Sequence, residues 1–357
     1  MIYVTKTFLP PQEEYQNILT RVWETAWLTN RGVLVLELEE KLKNYLKVPN
    51  ILAMANGTLP LQIAIKALNI TGEIITTPFS YVATTSSISW EGCTPVFVDI
   101  DPKYLTIDET KIEAAITLKT EAILATHVFG NPCAVEAIEV IAKKHNLKVI
   151  YDAAHCFGVA YKGKSLLSYG DVSTCSFHAT KLFHTGEGGA IVANDETLYD
   201  ALFSHHNFGH KGNEAFQGIG INGKMSELQA AMGLAVFPYI NDIFKERESI
   251  VQRYNAVLEN LDIQILAIRE GTHWNNSYYP IIFKDIAQLD RVQEALNSEE
   301  IYPRRYFYPS LNTLDYVGKQ SCPISESVAS RVLCLPLYVG LGTLDQDKII
   351  DTILSNL

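Results

Sequence analysis

Short apolar runs alternate with longer amphipathic stretches between residues 51 and 195. Short runs rich in Val, Ile and Phe are typical of strands that are buried on both faces of a parallel sheet. They predict strands at residues 73–76, 94–98, 122–127, 148–151, 172–177 and 189–193. The stretches between them predict helices at residues 59–68, 84–90 and 134–145. This alternation indicates βαβ units and therefore an α/β fold.

Helical patterns flank this region on both sides. Residues 13–23 and 36–46 predict two helices, joined by a turn at 30–32 whose Gly32 can take a positive φ. After Gly223 one long helical run is predicted through residues 226–261, followed by a strand at 277–283 and a helix at 289–299. The change of pattern predicts a large domain at residues 1–240 and a smaller α+β domain at residues 241–357.

Composition narrows the class of protein. The 357 residues are 47% hydrophobic, which is enough for a large core, and the net charge is −11 without any basic run. Nucleic acid is therefore not an expected partner, because phosphate backbones require clustered Lys and Arg. No apolar segment long enough to cross a membrane and no secretory leader pattern is present, so we expect a cytoplasmic protein without a membrane partner. The six cysteines lack C-x-x-C spacing, which favours free thiols and predicts no metal site.

Asp152 ends the predicted strand at 148–151 and is followed by small residues. Ligands of open α/β sheets bind beyond the carboxyl ends of the strands, so Asp152 is expected at a functional edge. By itself, a carboxylate at this position equally fits a cap for the following helix.

Lys181 follows the next predicted strand within SFHATK at 176–181, and a glycine-rich GEGGA follows at 186–190. A lysine amine attacks carbonyls when burial or a nearby cation lowers its pKa, which is what an aldehyde cofactor requires. A lone lysine is usually a solvated surface residue. The pairing of Asp152 and Lys181 on successive strand ends favours pyridoxal chemistry, in which a carboxylate faces the ring nitrogen.

A phosphate group requires hydrogen-bond donors. The segment ANGT at 55–58 precedes the predicted helix at 59–68. Amide groups at a helix N-terminus, together with the Thr58 hydroxyl, bind an anion without basic side chains. An ordinary N-cap remains the alternative interpretation.

Eight collinear segments resemble the DegT/DnrJ/EryC1/StrS family of sugar aminotransferases. They are ANGT at 55–58, TPFSY at 77–81, PVFVDI at 95–100, HVFGNP at 127–132, DAAH at 152–155, SFHATK at 176–181, GEGGA at 186–190 and GINGKM at 220–225. The resemblance implies the aspartate-aminotransferase (type I) fold, with a mixed, mostly parallel sheet, and pyridoxal 5′-phosphate as the cofactor. It also implies a homodimer with shared active sites.

The resemblance further implies roles for single residues. Lys181 would be the catalytic residue that bonds the cofactor. Cofactor-binding roles would fall to Gly57, Thr58, Tyr81, Asp152, His155, Ser176, Lys181 and, across the dimer interface, Asn222. Substrate contacts would involve Thr29, His184, Arg304, Arg305, Tyr306 and Tyr308. Many family members have Gln at the position of His155, so its hydrogen-bonding role is the least determined of the set.

The reaction implied by the resemblance is transfer of an amino group from an amino acid, with glutamate expected, to a nucleotide-linked ketosugar. His178 and Glu187 resemble members that act on carbon 4 of a 4-keto-6-deoxysugar. The segments at 27–32 and 303–309 resemble enzymes that make dTDP-4-amino-4,6-dideoxyglucose for surface polysaccharides such as O-antigen. Amination of carbon 3, or of a UDP- or GDP-linked sugar, is an alternative within the family. A pyridoxal-phosphate-binding regulator without turnover is an alternative of another class.

Overall fold

The computed structural model describes residues 1–357, in which helices and strands alternate along most of the chain. The helices are α1 (Gln12–Thr25), α2 (Val33–Leu46), α3 (Leu59–Ala67), α4 (Val82–Trp90), α5 (Val135–His145), α6 (Glu196–His206), α7 (Glu227–Val236), α8 (Ile240–Leu258), α9 (Ile286–Ser298), α10 (Pro323–Arg331) and α11 (Thr343–Leu354). The strands are β1 (Ile2–Tyr3), β2 (Ile51–Met54), β3 (Glu73–Thr76), β4 (Thr94–Phe97), β5 (Thr120–Thr126), β6 (Lys148–Asp152), β7 (Ala160–Tyr161), β8 (Lys164–Ser165), β9 (Val172–Ser176), β10 (Gly189–Ala193), β11 (Gln264–Ile265), β12 (Thr272–His273), β13 (Tyr279–Ile282), β14 (Ile301–Tyr302) and β15 (Val332–Leu335).

A seven-stranded sheet forms the centre of the molecule, in the order β2-β10-β9-β6-β5-β3-β4. Five neighbouring strands are parallel, and β10 runs antiparallel to both β2 and β9. The strands are almost entirely buried because helices cover both faces of the sheet. The sheet is mixed and mostly parallel, which confirms the predicted fold class.

The register of β5, β6 and β9 determines where the functional edge lies. Thr126 pairs with Asp152, and Asp152 pairs with Thr174, two residues before Ser176. These strands therefore end at the same edge of the sheet, and the loops that follow them meet there.

All six strands predicted in residues 73–193 are present, with ends that differ by at most a few residues. The sheet also contains β2, which the alternation did not predict. Its sequence ILAM is short and lacks β-branched residues after Ile51, so its pattern does not distinguish a strand from part of a helix.

The predicted helical run at 226–261 is helical from Glu227 to Leu258, but a 3₁₀ turn at Phe237–Tyr239 divides it into α7 and α8. Pro238 lies in this turn. Proline has no N–H to donate, and its ring clashes with the carbonyl of the preceding helical turn. The start of α7 is well determined, since Ser226 and Gln229 form a reciprocal capping box.

The turn before α2 also differs from the prediction. Asn30 and Arg31 have the positive φ angles, both 59°, whereas Gly32 is extended at a φ of −75°. Gly32 is required for space, because a Cβ there would lie 2.6 Å from Trp27 Cδ1 and 2.8 Å from Glu227 Cδ. The buried Glu227 carboxylate accepts the Leu34 N–H at 2.8 Å and so joins α7 to the start of α2.

The C-terminal part of the chain has its own small antiparallel sheet, in the order β11-β13-β15, covered by α8, α9 and α11. The proposed domain boundary near residue 240 stays a prediction, and two features cross it. Helix α8 contributes Ile243 to the core of the large sheet and Ile250 to the core of the C-terminal part, and β1 pairs with β14.

None of the helices combines the length and the hydrophobicity that a bilayer-spanning segment requires.

Candidate active site

A cavity of about 400 Å³ opens at the carboxyl edge of the central sheet. The ends of β6 and β9, the N-termini of α3 and α4, and two segments of the C-terminal part surround it. Its lining residues are Asn56, Gly57, Thr58, Leu61, Tyr81, Ala83, Asp152, Ala154, His155, Ser176, His178, Thr180, Lys181, Glu187, Tyr278, Arg304, Tyr306 and Phe307.

Asp152 is the last residue of β6 and is 5% exposed. Its Oδ2 accepts the Thr84 hydroxyl at 2.6 Å, and its Oδ1 accepts the Ala154 N–H at 3.1 Å. Burial raises the pKa of the carboxyl group, while these two hydrogen bonds and the charge of Lys181 oppose the increase. The carboxylate is thus held in one orientation and stabilises a positive charge placed opposite it in the cavity.

Lys181 follows β9 and brings its amine to the same cavity. Burial lowers the pKa of the amine to about 8, although Asp152 favours the charged form. The hydroxyl of Tyr278 lies 3.5 Å from Nζ. A large fraction of the amine is therefore neutral at moderately alkaline pH, which is the form that attacks carbonyls.

His155 is buried beside both residues, and its ring lies nearly parallel to that of Phe307, with centroids 5.8 Å apart. Its Nδ1 accepts the Phe129 N–H at 3.1 Å, which leaves Nε2 as the protonated nitrogen of the neutral ring. Burial first, and Lys181 second, lower the pKa of the imidazole well below its ordinary value. His155 is therefore a neutral hydrogen-bond donor at physiological pH.

The N-terminus of α3 closes one end of the cavity. Asn56 Oδ1 accepts the N–H groups of Thr58 and Leu59 at 2.9 Å each and so fixes the turn before α3, whereas the Gly57 N–H has no acceptor within the chain. Gly57 passes very close to β9, because a Cβ there would lie 2.8 Å from Ser176 Cβ and 2.9 Å from its Oγ. The close approach brings the Ser176 hydroxyl beside the helix N-terminus, where an anion is favoured.

The mouth of the cavity carries His178 and Glu187. The imidazole Nδ1 of His178 accepts the Thr180 N–H at 3.2 Å, and its Nε2 lies 3.6 Å from the Glu187 carboxylate. Both side chains are about half exposed. The pair is therefore available to a ligand that enters from solvent.

Arg304 and Tyr306 line the opposite side, with the guanidinium 5.2 Å from the centre of the Tyr306 ring. Arg305 and Tyr308 do not line the cavity of this chain, so their substrate contacts stay a prediction. Arg305 instead donates to the carbonyl of Ser330 at 2.9 Å and stacks on the Tyr308 ring at 3.7 Å.

Three further predicted residues lie outside the cavity of this chain. His184 is buried, and both of its ring nitrogens bond backbone groups: Nε2 bonds the Phe8 carbonyl at 2.6 Å and Nδ1 accepts the Gly186 N–H at 3.2 Å. Both nitrogens of His184 are thus occupied by the backbone of this chain, and its substrate contact stays a prediction. Thr29 and Asn222 are exposed.

The structure adds residues that the sequence patterns did not indicate. Thr84 of α4 orients Asp152, and the C-terminal part supplies Tyr278; Phe307 also lines the cavity, and it belongs to the segment 303–309 that the sequence had indicated. Thr84 falls in a helix whose polar residues are spread around its surface, and Tyr278 is 97 residues from Lys181 along the chain. The sequence placed Thr84 in a predicted helix at 84–90 and Tyr278 in a predicted strand at 277–283, but neither pattern indicated a contact with the site.

The cavity fits pyridoxal phosphate. Its lysine, its buried carboxylate and its helix N-terminus match the aldehyde, ring nitrogen and phosphate of that molecule. The absence of a Cβ at Gly57 leaves the helix N-terminus close to Ser176, as a bound phosphate requires. Tyr81, which is 59% exposed at the start of α4, presents an aromatic ring to the same space.

Comparison with known proteins identifies one family model. Residues 11–354 match the model of the DegT/DnrJ/EryC1/StrS aminotransferase family. The match covers the strand ends, the helix N-termini and the C-terminal segments that surround the cavity.

Individual relatives extend along almost the whole chain. A dTDP-4-amino-4,6-dideoxy-D-glucose transaminase of Shigella dysenteriae is 42% identical over 99% of this chain and 98% of its own length. A GDP-perosamine synthase of Escherichia coli O157:H7 is 32% identical over 93% of this chain and 91% of its own. Among solved structures, DesI in the presence of its TDP-sugar product superposes with a TM-score of 0.94 at 31% identity, covering 99% of this chain and 92% of that chain.

Proposed function

The chain belongs to the DegT/DnrJ/EryC1/StrS aminotransferase family, and from this premise we propose that it aminates carbon 4 of dTDP-4-keto-6-deoxyglucose. It is a pyridoxal-phosphate-dependent sugar aminotransferase, and the proposed product is dTDP-4-amino-4,6-dideoxyglucose. The pyridoxal chemistry rests on one observation: Asp152 and Lys181 follow adjacent parallel strands and line the same cavity. The choice of sugar and nucleotide is supported by the 42% identical transaminase.

Each cavity residue has a defined part in this reaction. Pyridoxal phosphate supplies an aldehyde that carries the amino group and a ring that takes up electrons. Lys181 holds it through Nζ and, once freed as an amine, moves a proton at the substrate carbon. Asp152 keeps a proton on the ring nitrogen. His155 donates its Nε2–H to the phenolic oxygen.

The remaining cofactor residues bind and orient. The Gly57 N–H at the α3 N-terminus, the Thr58 hydroxyl and the Ser176 hydroxyl would hold the phosphate, because free donors at a helix start favour an anion. Tyr81 covers one face of the ring. The ketosugar would enter through the side of the cavity that His178 and Glu187 line.

The substrate side is assigned to residues around the mouth. Arg304 supplies a fixed positive charge for the diphosphate, and Tyr306 supplies an aromatic surface beside it. His178 and Glu187 are assigned to the sugar, since both line the cavity with side chains that are about half exposed. Thr29 and Tyr308 do not line the cavity of their own chain, so we assign their substrate contacts to the cavity of a second subunit.

We propose that the active protein is a homodimer. Large apolar side chains are exposed on the segment from α1 to α2, which we term the N-terminal apolar face: Trp23, Trp27, Leu28, Val33 and Leu36. Exposed aromatic side chains so concentrated indicate an interface. Asn222 is exposed in a loop anchored to Asn207, which is consistent with a role in the partner's cavity. The two active sites of such a dimer would each contain residues of both chains.

Three finer assignments complete the proposal. Glutamate is the amino donor, and the product serves surface polysaccharide synthesis, as in O-antigen and lipopolysaccharide. A cytoplasmic location is supported by six buried cysteines that form no disulfide, as expected in a reducing compartment.

A direct assay tests the function. Purified protein is incubated with pyridoxal phosphate, L-glutamate and dTDP-4-keto-6-deoxyglucose, and the product is analysed by mass spectrometry and NMR. We expect a new amine on carbon 4 together with 2-oxoglutarate, and none of either with the Lys181→Ala variant. Parallel reactions contain the GDP- and UDP-linked ketosugars and the 3-keto isomer.

Each alternative has its own result in the same assay. Preferred turnover of the GDP-linked sugar would assign the activity to the GDP-perosamine type of relative, and an amine on carbon 3 would overturn the regiochemistry. Cofactor absorbance without any transfer would favour a regulator. The acidic chain lacks the basic surface that a DNA-binding regulator requires.

A further inference from the structure

Residues 274–278 form a bridge between the C-terminal part and the loops that follow β5 and β6. Trp274 Nε1 donates to the Phe129 carbonyl at 2.7 Å, and Ser277 Oγ donates to the same oxygen at 2.6 Å. Asn275 Nδ2 donates to the carbonyls of His155 at 2.8 Å and Phe157 at 2.9 Å. Three side chains within four residues thus bind backbone oxygens beside the cavity, which holds the bridge in one position.

Arg247 of α8 holds the bridge from the opposite side. Its guanidinium is 6% exposed and donates to the carbonyls of Asn276, Ser277 and Leu337 at 2.9, 2.6 and 2.9 Å. Burial lowers the pKa of this group to about 10. A buried cation is costly unless it is fully hydrogen-bonded, so these three carbonyls are constrained to stay where they are.

The bridge ends at Tyr278, which it brings against the cofactor residues. The Tyr278 hydroxyl lies 3.5 Å from Lys181 Nζ, and Nζ lies 5.5 Å from the centre of the ring. The ring also packs on His155, with centroids 4.9 Å apart. Burial raises the pKa of the phenol, so its hydroxyl stays protonated and can both donate and accept.

We infer that Tyr278 is a positioning residue for the Lys181 amine. Its hydroxyl accepts a hydrogen bond from the ammonium form of Lys181 and donates one to the neutral form. In this way Nζ keeps one position whenever it is not bonded to the cofactor. The inference rests on the role proposed for Lys181, and it gives the C-terminal part a function in the chemistry of the large sheet.

Other groups around Lys181 influence the same amine and must be kept constant in a test. Burial disfavours the ammonium form, and the neutral His155 ring adds no charge. Asp152 is the charged group that favours the ammonium form, since burial raises the pKa of the Cys175 and Cys156 thiols and keeps them protonated. A change at Tyr278 that leaves these groups in place reports on the hydroxyl alone.

The test variant is Tyr278→Phe, which keeps the ring and its packing on His155. The matched control is Tyr279→Phe. Tyr279 is the next residue along the chain and is also buried, but its hydroxyl donates to Asn255 Oδ1 at 2.7 Å, away from the cavity. Circular dichroism and thermal unfolding establish that both variants fold.

The first readout uses cofactor-free protein. Lys181 is labelled competitively with acetic anhydride across a pH series, and the modified peptide is quantified by mass spectrometry. Loss of the acceptor weakens the ammonium form, so we expect the apparent pKa of Lys181 to fall by roughly 0.5 to 1 in Tyr278→Phe and to stay unchanged in Tyr279→Phe. An unchanged pKa in Tyr278→Phe would overturn the inference.

The second readout is steady-state turnover of the loaded enzyme. We expect kcat of Tyr278→Phe to fall about tenfold or more with KM for the ketosugar nearly constant, because a misplaced amine slows proton transfer without weakening substrate binding. Equal losses in both variants would assign a merely structural role to Tyr278. If wild-type protein does not aminate the dTDP-ketosugar, the substrate proposal fails, while the labelling experiment still tests Tyr278.

Discussion

At the scale of single residues, the surroundings of Asp152 fix the orientation of a carboxylate, and those of Lys181 favour a neutral amine. Asp152 is fixed by two hydrogen bonds, so its carboxylate cannot turn away from a cationic ring nitrogen. Lys181 has its amine pKa lowered to about 8 by burial, which makes a neutral nucleophile available near neutral pH. The sequence predicted both residues because each follows a recognisable strand. It did not predict Thr84 or Tyr278, whose contacts depend on how separate elements pack.

Asp152→Asn is expected to fold and bind the cofactor while kcat falls by about 10²–10⁴, the range typical of a lost acid–base contribution. The neutral amide cannot keep the ring nitrogen protonated. Steady-state assays measure the loss. Asp171→Asn is the matched control, since Asp171 precedes β9 at the opposite edge of the sheet, where it accepts the Val149 N–H and pairs with Lys148 away from the cavity. Full activity of Asp152→Asn would contradict the role assigned to this carboxylate.

Cofactor capture by Lys181 should depend on pH in a defined direction. The amine pKa is lowered from 10.5 to about 8, and only the neutral form attacks the aldehyde. The rate of capture by cofactor-free protein is therefore expected to increase with pH and to level off above about pH 8. Stopped-flow absorbance measures it. A rate that keeps increasing up to pH 10 would indicate an unperturbed lysine.

At the scale of elements, the strands that lead to the active site could be predicted from the sequence. Some of the segments that join the elements could not. Buried Val- and Ile-rich runs identify β3, β5 and β10 from the pattern alone. The break between α7 and α8 was missed although Pro238 marks it, because the hydrophobic periodicity continues across the proline. Gly32 was given the wrong conformation, since its requirement for space arises from Trp27 and Glu227, which only the fold brings together.

Gly57→Ala tests the approach of the α3 N-terminus to β9. The added Cβ would lie 2.8 Å from Ser176 Cβ, so the loop must shift and its phosphate donors lose their alignment. We expect the dissociation constant of the cofactor to increase by about 10- to 100-fold, equivalent to the loss of one or two hydrogen bonds to a charged group. Fluorescence titration of cofactor-free protein measures it.

Gly342→Ala is the control for this substitution. Gly342 has a φ of −63°, and the nearest atom to an added Cβ is 4.0 Å away, so alanine is accommodated without strain. Equal cofactor affinity of Gly57→Ala and Gly342→Ala would show that the close approach at Gly57 has no part in phosphate binding.

At the scale of the whole molecule, two observations on the single chain motivate the proposed dimer. The N-terminal apolar face is exposed, and Thr29, Asn222 and Tyr308 lie outside the cavity. A dimer that covers this face and completes each cavity accounts for both observations. The resemblance implied the dimer, whereas periodicity alone could not, because a helix that packs on a partner has the same pattern as one that packs on its own core.

Trp27→Glu is expected to convert the dimer to monomers, because it places a charge at the centre of a buried apolar contact. Sedimentation velocity measures the molecular mass, and activity should fall with the dimer fraction. Leu118→Glu is the control, since Leu118 is fully exposed and is not part of the N-terminal apolar face. A Trp27→Glu protein that stays dimeric would place the interface elsewhere.

The most direct test of the central claim is the identity of the lysine that bonds the cofactor. Purified protein loaded with pyridoxal phosphate is reduced with borohydride and digested, and the adduct is located by mass spectrometry. We predict that the cofactor absorbance band disappears and that the adduct is found on Lys181 alone, with none in Lys181→Ala. An adduct on another lysine such as Lys224, or normal amino transfer by Lys181→Ala, would contradict the account.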